Sequence, residues 1–369
     1  MQKYNCKVCG GELYWDAQKG ALLCEYCDAT YQVTDFEDMT LHNDVENQEI
    51  SNVEKGVTED IEDIEDIEMV VYQCNHCGAE LVTSNKTMAT TCAYCGRAVS
   101  ITEKSVGNFR PEKIIPFSID KAKAISLYKE YINKSPIAPK EFTDDAVIEK
   151  MQGLYVPFWL YSLFVDGKTS FECEKVSSRR SGDYKITTHQ VYNVIVDSDS
   201  QFSYVPVDAS VKLDNQLMDS LDPYSLQKIV DYNPAYMAGY FAEQFDESPE
   251  KTFDRGKEKI VKAVKNLAIS KINGYSSIKT NENNTIFRNE VVNYGMLPVW
   301  LLNVEYKGEK YTFAVNGDTG KAVGKIPVSQ SRLLKKNLKT VGIWYIIALI
   351  LSIANVFLGI NPLFLLLGI

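Results

Sequence analysis

Eight of the nine cysteines stand in four Cys-x-x-Cys pairs, and the pairs fall into two quartets. Cys6, Cys9, Cys24 and Cys27 form the first; Cys74, Cys77, Cys92 and Cys95 form the second, as an internal repeat. The stretch between the two pairs, Cys9 to Cys24 in one quartet and Cys77 to Cys92 in the other, has the same length in both. Two residues between thiols let one tight turn offer both sulfurs to one ion, and a stretch of that length suffices for a β-hairpin that returns the second turn. Four thiolates then close a tetrahedral structural zinc site with no position left for water. The first pairs end in Cys-Gly (Gly10, Gly78), which suits a turn with positive φ. The spacing therefore predicts two Zn2+ ions, one in each quartet. Disulfides and unrelated buried thiols are the competing readings.

Other chemistry is less well founded. Gly167-Lys168-Thr169 resembles the end of a phosphate loop, but Ser162 stands where that loop needs its first glycine, and no helix is expected after the threonine. A Gly-x-Ser-x-Gly elbow is absent. His42, His76 and His189 are scattered, and His76 reads as a turn residue inside an already complete thiol shell. Cys173 stands alone and reads as a packed strand residue. Asp208, Asp214, Asp219 and Asp222 could hold a divalent cation, yet lack EF-hand spacing; turn and cap roles are favoured. Arg179-Arg180 reads as a solvated loop. No catalytic residue is predicted, and the expectation is a protein that is not an enzyme.

These candidates sit in a chain of 369 residues with a formal charge of −10 and 45% hydrophobic residues. Residues 1–34 and 70–107 are expected to be the two zinc ribbons. Each is too small for an adequate core, so metal would supply most of its folding free energy. Residues 35–69 read as an acidic, disordered linker ending in Glu59-Asp-Ile-Glu-Asp-Ile-Glu-Asp-Ile-Glu68, whose period of three fits neither helix nor strand. Each four-thiolate centre adds about −2 to the charge, a poor basis for binding phosphates.

Residues 108–330 read as a β-rich α+β domain. Ser118 is expected to cap a helix carrying Ala122, Ile125, Tyr128 or Lys129, and Ile132, and Thr143 a second one. Pro157-Phe-Trp159-Leu160 recurs as Pro298-Val-Trp300-Leu301, with Gly167 and Gly308 each ten residues after the proline. The repeat predicts two hairpins turning at those glycines, with Trp159 and Trp300 in the core. Strands are expected near 184–196 and 201–207. Pro249 opens an amphipathic helix whose apolar face runs from Phe253 to Ile272. Residues 331–340 are basic, and residues 341–369 contain no charge. Val341–Ile360 alone would cross a bilayer, and Arg332, Lys335, Lys336 and Lys339 would keep the preceding chain in the cytoplasm. A reducing compartment and the lack of a leader before the cysteines agree with that topology.

Two four-cysteine ribbons, an α+β domain and a C-terminal span give an order that resembles the TFIIB-type zinc-ribbon membrane proteins of Firmicutes, the YdjG type. Beyond the quartets, the resemblance is carried by Gly153-Leu-Tyr-Val-Pro-Phe-Trp159, Arg180-Ser-Gly-Asp-Tyr184, Val205-Pro-Val-Asp208, Leu217-Met-Asp-Ser220 and Phe241-Ala-Glu-Gln-Phe-Asp246. It implies a membrane scaffold or adaptor in an envelope-stress complex, with PspA-, TPM- or SPFH-type partners at the bilayer. A membrane-tethered, nucleic-acid-binding ribbon protein is the alternative. The ribbons themselves are expected to act as docking knobs on the acidic tether.

Overall fold

The computed structural model describes residues 4–39, the strands within 69–100, and residues 110–358. The chain begins with a small hairpin sheet, β1 (Leu13–Asp16), β2 (Ala21–Cys24) and β3 (Thr30–Tyr31). A 3-10 segment, Val33–Met39, follows and buries Phe36 against Tyr4 and Tyr31. The acidic, disordered linker expected over residues 35–69 is therefore shorter: residues 35–39 belong to this 3-10 segment and Met69 opens β4, while residues 40–68 lie outside the described residues. Then come β4 (Met69–Gln73) paired with β5 (Glu80–Ser84), and β6 (Thr87–Thr91) paired with β7 (Ala98–Ser100).

The body contains β8 (Lys113–Ile114), α1 (Lys121–Asn133), α2 (Asp145–Ile148), β9 (Gln152–Ser181), β10 (Tyr184–Asp208), α3 (Asn215–Asp219), β11 (Val230–Asp231), β12 (Phe241–Glu243), α4 (Pro249–Ser270), β13 (Ser277–Tyr306), β14 (Glu309–Asn316) and β15 (Ala322–Gly324). It is a mixed, sheet-rich α/β fold. Three strands dominate. β9 lies in the middle, with β10 and β13 antiparallel on either side. At about 3.3 Å per residue, the 30 residues of β9 reach about 100 Å.

The near and far parts of these strands live in different surroundings. From Gly153 to Tyr161 every residue of β9 but the half-buried Leu154 is buried. Odd-numbered side chains such as Tyr155, Trp159 and Tyr161 join the larger core beneath the helices, while Val156, Phe158 and Leu160 face a second core closed by Met218, Leu221 and Tyr224. From Ser162 outward only the odd face stays covered, by α4, as far as Cys173. Beyond Glu174, β13 no longer pairs and both faces meet solvent.

The Pro-x-Trp-Leu repeat has a geometric counterpart. Val156 pairs directly with Leu297, and positions 157 and 298, 159 and 300, and 160 and 301 share the same sequence offset as that pair. A local two-fold axis through the Val156–Leu297 pair therefore relates the motifs. The helices are exchanged: α1, from the first half, packs on β14 and β15 of the second through Tyr128 and Phe313. In return α4 packs on β9 and β10.

Only one of the two predicted hairpins turns where expected. The β13–β14 turn uses Lys307 (φ 55°) and Gly308 (φ 79°). Gly167 instead lies within β9, and the strand continues to Gly182 (φ 62°). A Cβ on Gly167 would stand 2.6 Å from Val264 of α4, so this glycine admits a helix instead of making a turn. The two strands expected near 184–196 and 201–207 are one, β10, with an irregularity between Phe202 and Val205.

Two helix starts also shift. Ser118 and Ile119 both donate their amides to the Gly317 carbonyl and stay outside the helix. Asp120 therefore caps α1, accepting from the Lys123 amide, and Ala124 replaces Ala122 on the buried face with Tyr128 and Ile132. Asp144, not Thr143, caps α2 through the Ala146 amide. α4 begins at Pro249 as predicted, burying Ile260, Val264 and Ala268; Leu267 is exposed.

The chain ends in α5 (Gln330–Leu358), which takes in the basic segment without a break. Gln330–Ile353 is long and apolar enough to cross a membrane; its most apolar 18-residue window has mean hydropathy 1.4 and buries nothing inside the protein. Its root is fixed: Ser329 donates its amide to the Ile137 carbonyl, and the Arg332 guanidinium bonds the Ala138 carbonyl. Residues 359–369, including Asn361-Pro362, lie outside the described residues.

Candidate metal centre

The first quartet is assembled by two matching turns. Gly10 donates its amide to the Cys6 carbonyl, and Asp28 donates its amide to the Cys24 carbonyl. Each donor has positive φ, 71° at Gly10 and 57° at Asp28. Glycine takes that conformation freely, and aspartate is among the few others that tolerate it. Between the turns, Leu13 pairs with Cys24 and Trp15 with Leu22, so the hairpin register brings the second turn under the first. At the hairpin tip, Asp16 accepts from the amides of Gln18 and Lys19.

The four Sγ atoms lie within 4.8 Å of one another. Cys6 and Cys27 are 3.4 Å apart, as are Cys9 and Cys24. A tetrahedral cation with metal–sulfur bonds of about 2.3 Å needs sulfurs about 3.8 Å apart, within the range found here. All four thiols are free, which removes the disulfide reading of this quartet. Gly11 completes the cradle. A Cβ there would meet Tyr26 at 2.5 Å and the sulfurs of Cys24 and Cys9 at 3.2 and 3.3 Å.

Electrostatics favour a cation in the middle. Burial resists ionisation of Cys6, but the Tyr31 hydroxyl and the amides of Cys9 and Val8 outweigh it and hold that thiol down at about 6. At Cys27 the Ala29 amide favours the thiolate, yet the sulfurs of Cys6, Cys9 and Cys24 push the thiol up to about 12. One thiolate forms readily and then opposes the others, so four ionise together only around positive charge. Tyr31, 3.3 Å from the Cys6 sulfur, is a functional neighbour that spacing alone does not reveal; it arrives on β3, the third strand of the hairpin sheet.

The hairpin is wedged into the body, not projected from it. The Trp15 indole is buried and donates to the Phe117 carbonyl at 3.1 Å, and its ring meets Tyr236 edge-on at 4.9 Å. The Trp15 amide bonds the Ala238 carbonyl, and Tyr4 reaches Asn233. Cys6 and Cys24 belong to the same buried cluster as Phe117 and Trp300. The knob expectation fails for this quartet because the face opposite the thiols is apolar and seals the body's own aromatic core.

Cys74, Cys77, Cys92, Cys95, Gly78 and His76 lie outside the described residues. Of the strands around them, β6 and β7 join the body, since β6 pairs antiparallel with β12, which in turn runs parallel to β9, while β4 and β5 pair with each other as a separate sheet. The first hairpin and β6 thus both meet the body along residues 233–243.

The remaining candidates are dispersed. Trp159 and Trp300 are buried, each donating its indole N–H to a backbone carbonyl, of Glu247 and of Ile119. Cys173 is buried in β9. His189 pairs with Glu174, and Arg179 and Arg180 are exposed. Asp214 caps α3 through the Leu217 amide. Asp219 and Asp222 flank Lys259 at 2.8 and 2.9 Å, while Asp208 lies fully buried against Arg255 at 3.0 Å. Arg255 and Lys259, on α4, are the partners that the sequence reading of these aspartates lacked. Burial pushes the Asp208 carboxyl up to about 6 against the pull of Arg255, with Asp219 and Glu247 adding to the rise.

A curated relative, the uncharacterised protein YdjG of Bacillus subtilis (strain 168), is 32% identical over 314 residues, a match covering 72% of this chain and 92% of the relative. The chain belongs to the YdjG family. No family model and no solved structure matches it. The aligned share takes in most of the relative, so the family likeness extends well beyond two cysteine motifs.

Proposed function

We propose that this protein is a membrane-anchored scaffold or adaptor, not an enzyme, that uses metal to hold its shape. Each quartet binds one Zn2+, through Cys6, Cys9, Cys24 and Cys27 and through Cys74, Cys77, Cys92 and Cys95. α5 spans the bilayer, and the basic residues Arg332, Lys335, Lys336 and Lys339 keep the body in the cytoplasm. One observation carries this reading: the first thiol shell has four protein ligands, and its hairpin is packed into the aromatic core. Such a centre offers no open position for substrate or water and acts by fixing a shape. The resemblance to membrane scaffolds suggests partners of the PspA, TPM or SPFH type in an envelope-stress complex.

The test is affinity purification of the native complex from solubilised membranes, run in parallel with the Cys24→Ser variant. The expected result is a partner of one of those types in fixed proportion, lost or weakened in the variant. A wild-type protein that purifies alone with its zinc intact overturns the scaffold reading.

A further inference from the structure

Among the described residues the outer edge of β10 is long and unpaired. Among the described residues β10 pairs only with β9, and the register is regular from Tyr184 to Phe202. Thr187–Val196 is a run without Asp, Glu, Lys, Arg, Pro or Gly. Val191 is 64% and Ile195 55% exposed. Edge strands are ordinarily blunted by charge, proline or bulges, because unpaired N–H and C=O groups template another strand. This stretch has none of those devices.

The charges on the edge indicate what fits it. Within the chain, Lys185 stands opposite Arg180, and Asp199 opposite Asp166, each beside a like charge. Asp166 is already paired with Arg288 of β13, so a second strand relieves Lys185 most. Alternate N–H groups of β10 point toward β9, so an antiparallel copy must place residues of equal parity opposite one another. Centring the pairing on Tyr192 puts Lys185 of one copy opposite Asp199 of the other, twice, and brings no like charges together. Shifting the centre to Val191 keeps a Lys185–Asp197 pair but sets Asp183, in the turn before β10, against Asp199; shifting it to Gln190 pairs no opposite charges and sets Asp183 against Asp197. Of these registers, only the one centred on Tyr192 pairs opposite charges without bringing like charges together.

We propose that this protein forms a two-fold dimer by antiparallel pairing of β10 with β10 of a second copy, centred on Tyr192. Residues 185–199 of each strand take part, about 50 Å of ladder. The three-stranded blades of the two copies merge into one continuous sheet, with the two bodies at opposite ends. The anchors of both copies enter one membrane when the two-fold axis stands along the membrane normal. This inference is independent of any partner protein.

The test uses the full chain in detergent, loaded with zinc. Light scattering is expected to give twice the chain mass. Val191 and Asn193 face each other across the interface, so mixing Val191→Cys with Asn193→Cys and oxidising mildly is expected to give a disulfide-linked dimer. Either variant alone places its cysteines too far apart to bridge and is expected to match the wild-type background. Lys185→Asp is expected to raise the dimer dissociation constant at least about tenfold, and the Lys185→Asp, Asp199→Lys double variant to restore it. Circular dichroism of each variant checks that the fold is kept. A monomeric mass, cross-linking that ignores position, or a charge swap that fails to rescue a folded Lys185→Asp variant overturns the proposal. A monomer that pairs only with a strand from a different protein overturns it as well.

Discussion

The two halves of the body begin alike and end differently. Each contributes a Pro-x-Trp-Leu strand about the Val156–Leu297 axis, and each sends a helix across to cover the other. In the second half the hairpin turns at Gly308. In the first, the equivalent Gly167 gives way to Val264, and the strand runs on as far as the turn at Gly182. A second pair of equivalent positions diverges in chemistry. Asn316 opposite Val299 and Asp208 opposite Phe158 are both fully buried. Asn316 is satisfied on every side, accepting from the amides of Asp318 and Thr319 and donating to the carbonyls of Leu221 and Pro223. Asp208 bonds Arg255 through one oxygen and leaves the other without a partner. The same framework thus closes tightly in one half and, in the other, keeps a buried charge and an extended blade.

Metal loss should have the largest effect, and an uneven one. Trp15 and Trp300 donate to the neighbouring carbonyls of Phe117 and Ile119, so the thiol hairpin leans on the segment that also supports the second half. Chelation or Cys24→Ser is expected to unfold the hairpin, since such centres contribute on the order of 10 kcal/mol. Hydrogen exchange would then rise at residues 114–119 while β9–β10 pairing beyond Gly167 stays protected. Uniform exchange across both halves would break the distinction.

Next, Trp159→Ala and Trp300→Ala occupy equivalent core positions and are each expected to cost about 3–5 kcal/mol in chemical denaturation. A large gap between them would show that the local two-fold relation does not extend to energetics.

Asp208 supplies a pH signature confined to the first half. Its folded-state pKa is raised, so the folded protein holds the proton more tightly than the unfolded chain. Stability should therefore fall as pH rises from about 4 to about 6, by up to about 3 kcal/mol, and then level off. Asp208→Asn, which makes this position resemble Asn316, is expected to remove that slope. An unchanged slope in the variant would assign it to another group.

The smallest effects should separate the near and far blade. Gly167→Ala forces a Cβ against Val264 and is expected to cost about 1–3 kcal/mol. Val191→Ala, on the exposed edge, should change stability of the isolated chain by no more than about 0.5 kcal/mol. Thermal melts of the two variants make the comparison direct.

What was legible in the sequence follows the range of the interactions involved. The first thiol quartet, the α4 start at Pro249 and the apolar helix α5 are local patterns, and the structure places them where the spacing does. Trp159 and Trp300 could be assigned to the core because large aromatics have few other places to go. The docking of the hairpin was not legible, because Trp15 meets Phe117 across 102 residues with no periodicity linking them. The length of β9 was hidden by Gly167, since a glycine in a strand signals a turn and a close helix contact equally well. Ser118 misleads for a similar reason: the Gly317 carbonyl, from the far half of the chain, takes the amides that would have entered the helix.

The long strands also have a mechanical consequence. From the Val156–Leu297 axis, β9 reaches about 85 Å to the turn at Gly182. At the other end, α5 is tied to the body at Ile137 and Ala138. A tilt of the body by about five degrees at that root would sweep the tip through about 7 Å, more than the spacing between neighbouring strands. The blade is a lever arm, and small changes in how the anchor sits in a bilayer become displacements large enough to make or break a contact at its far end.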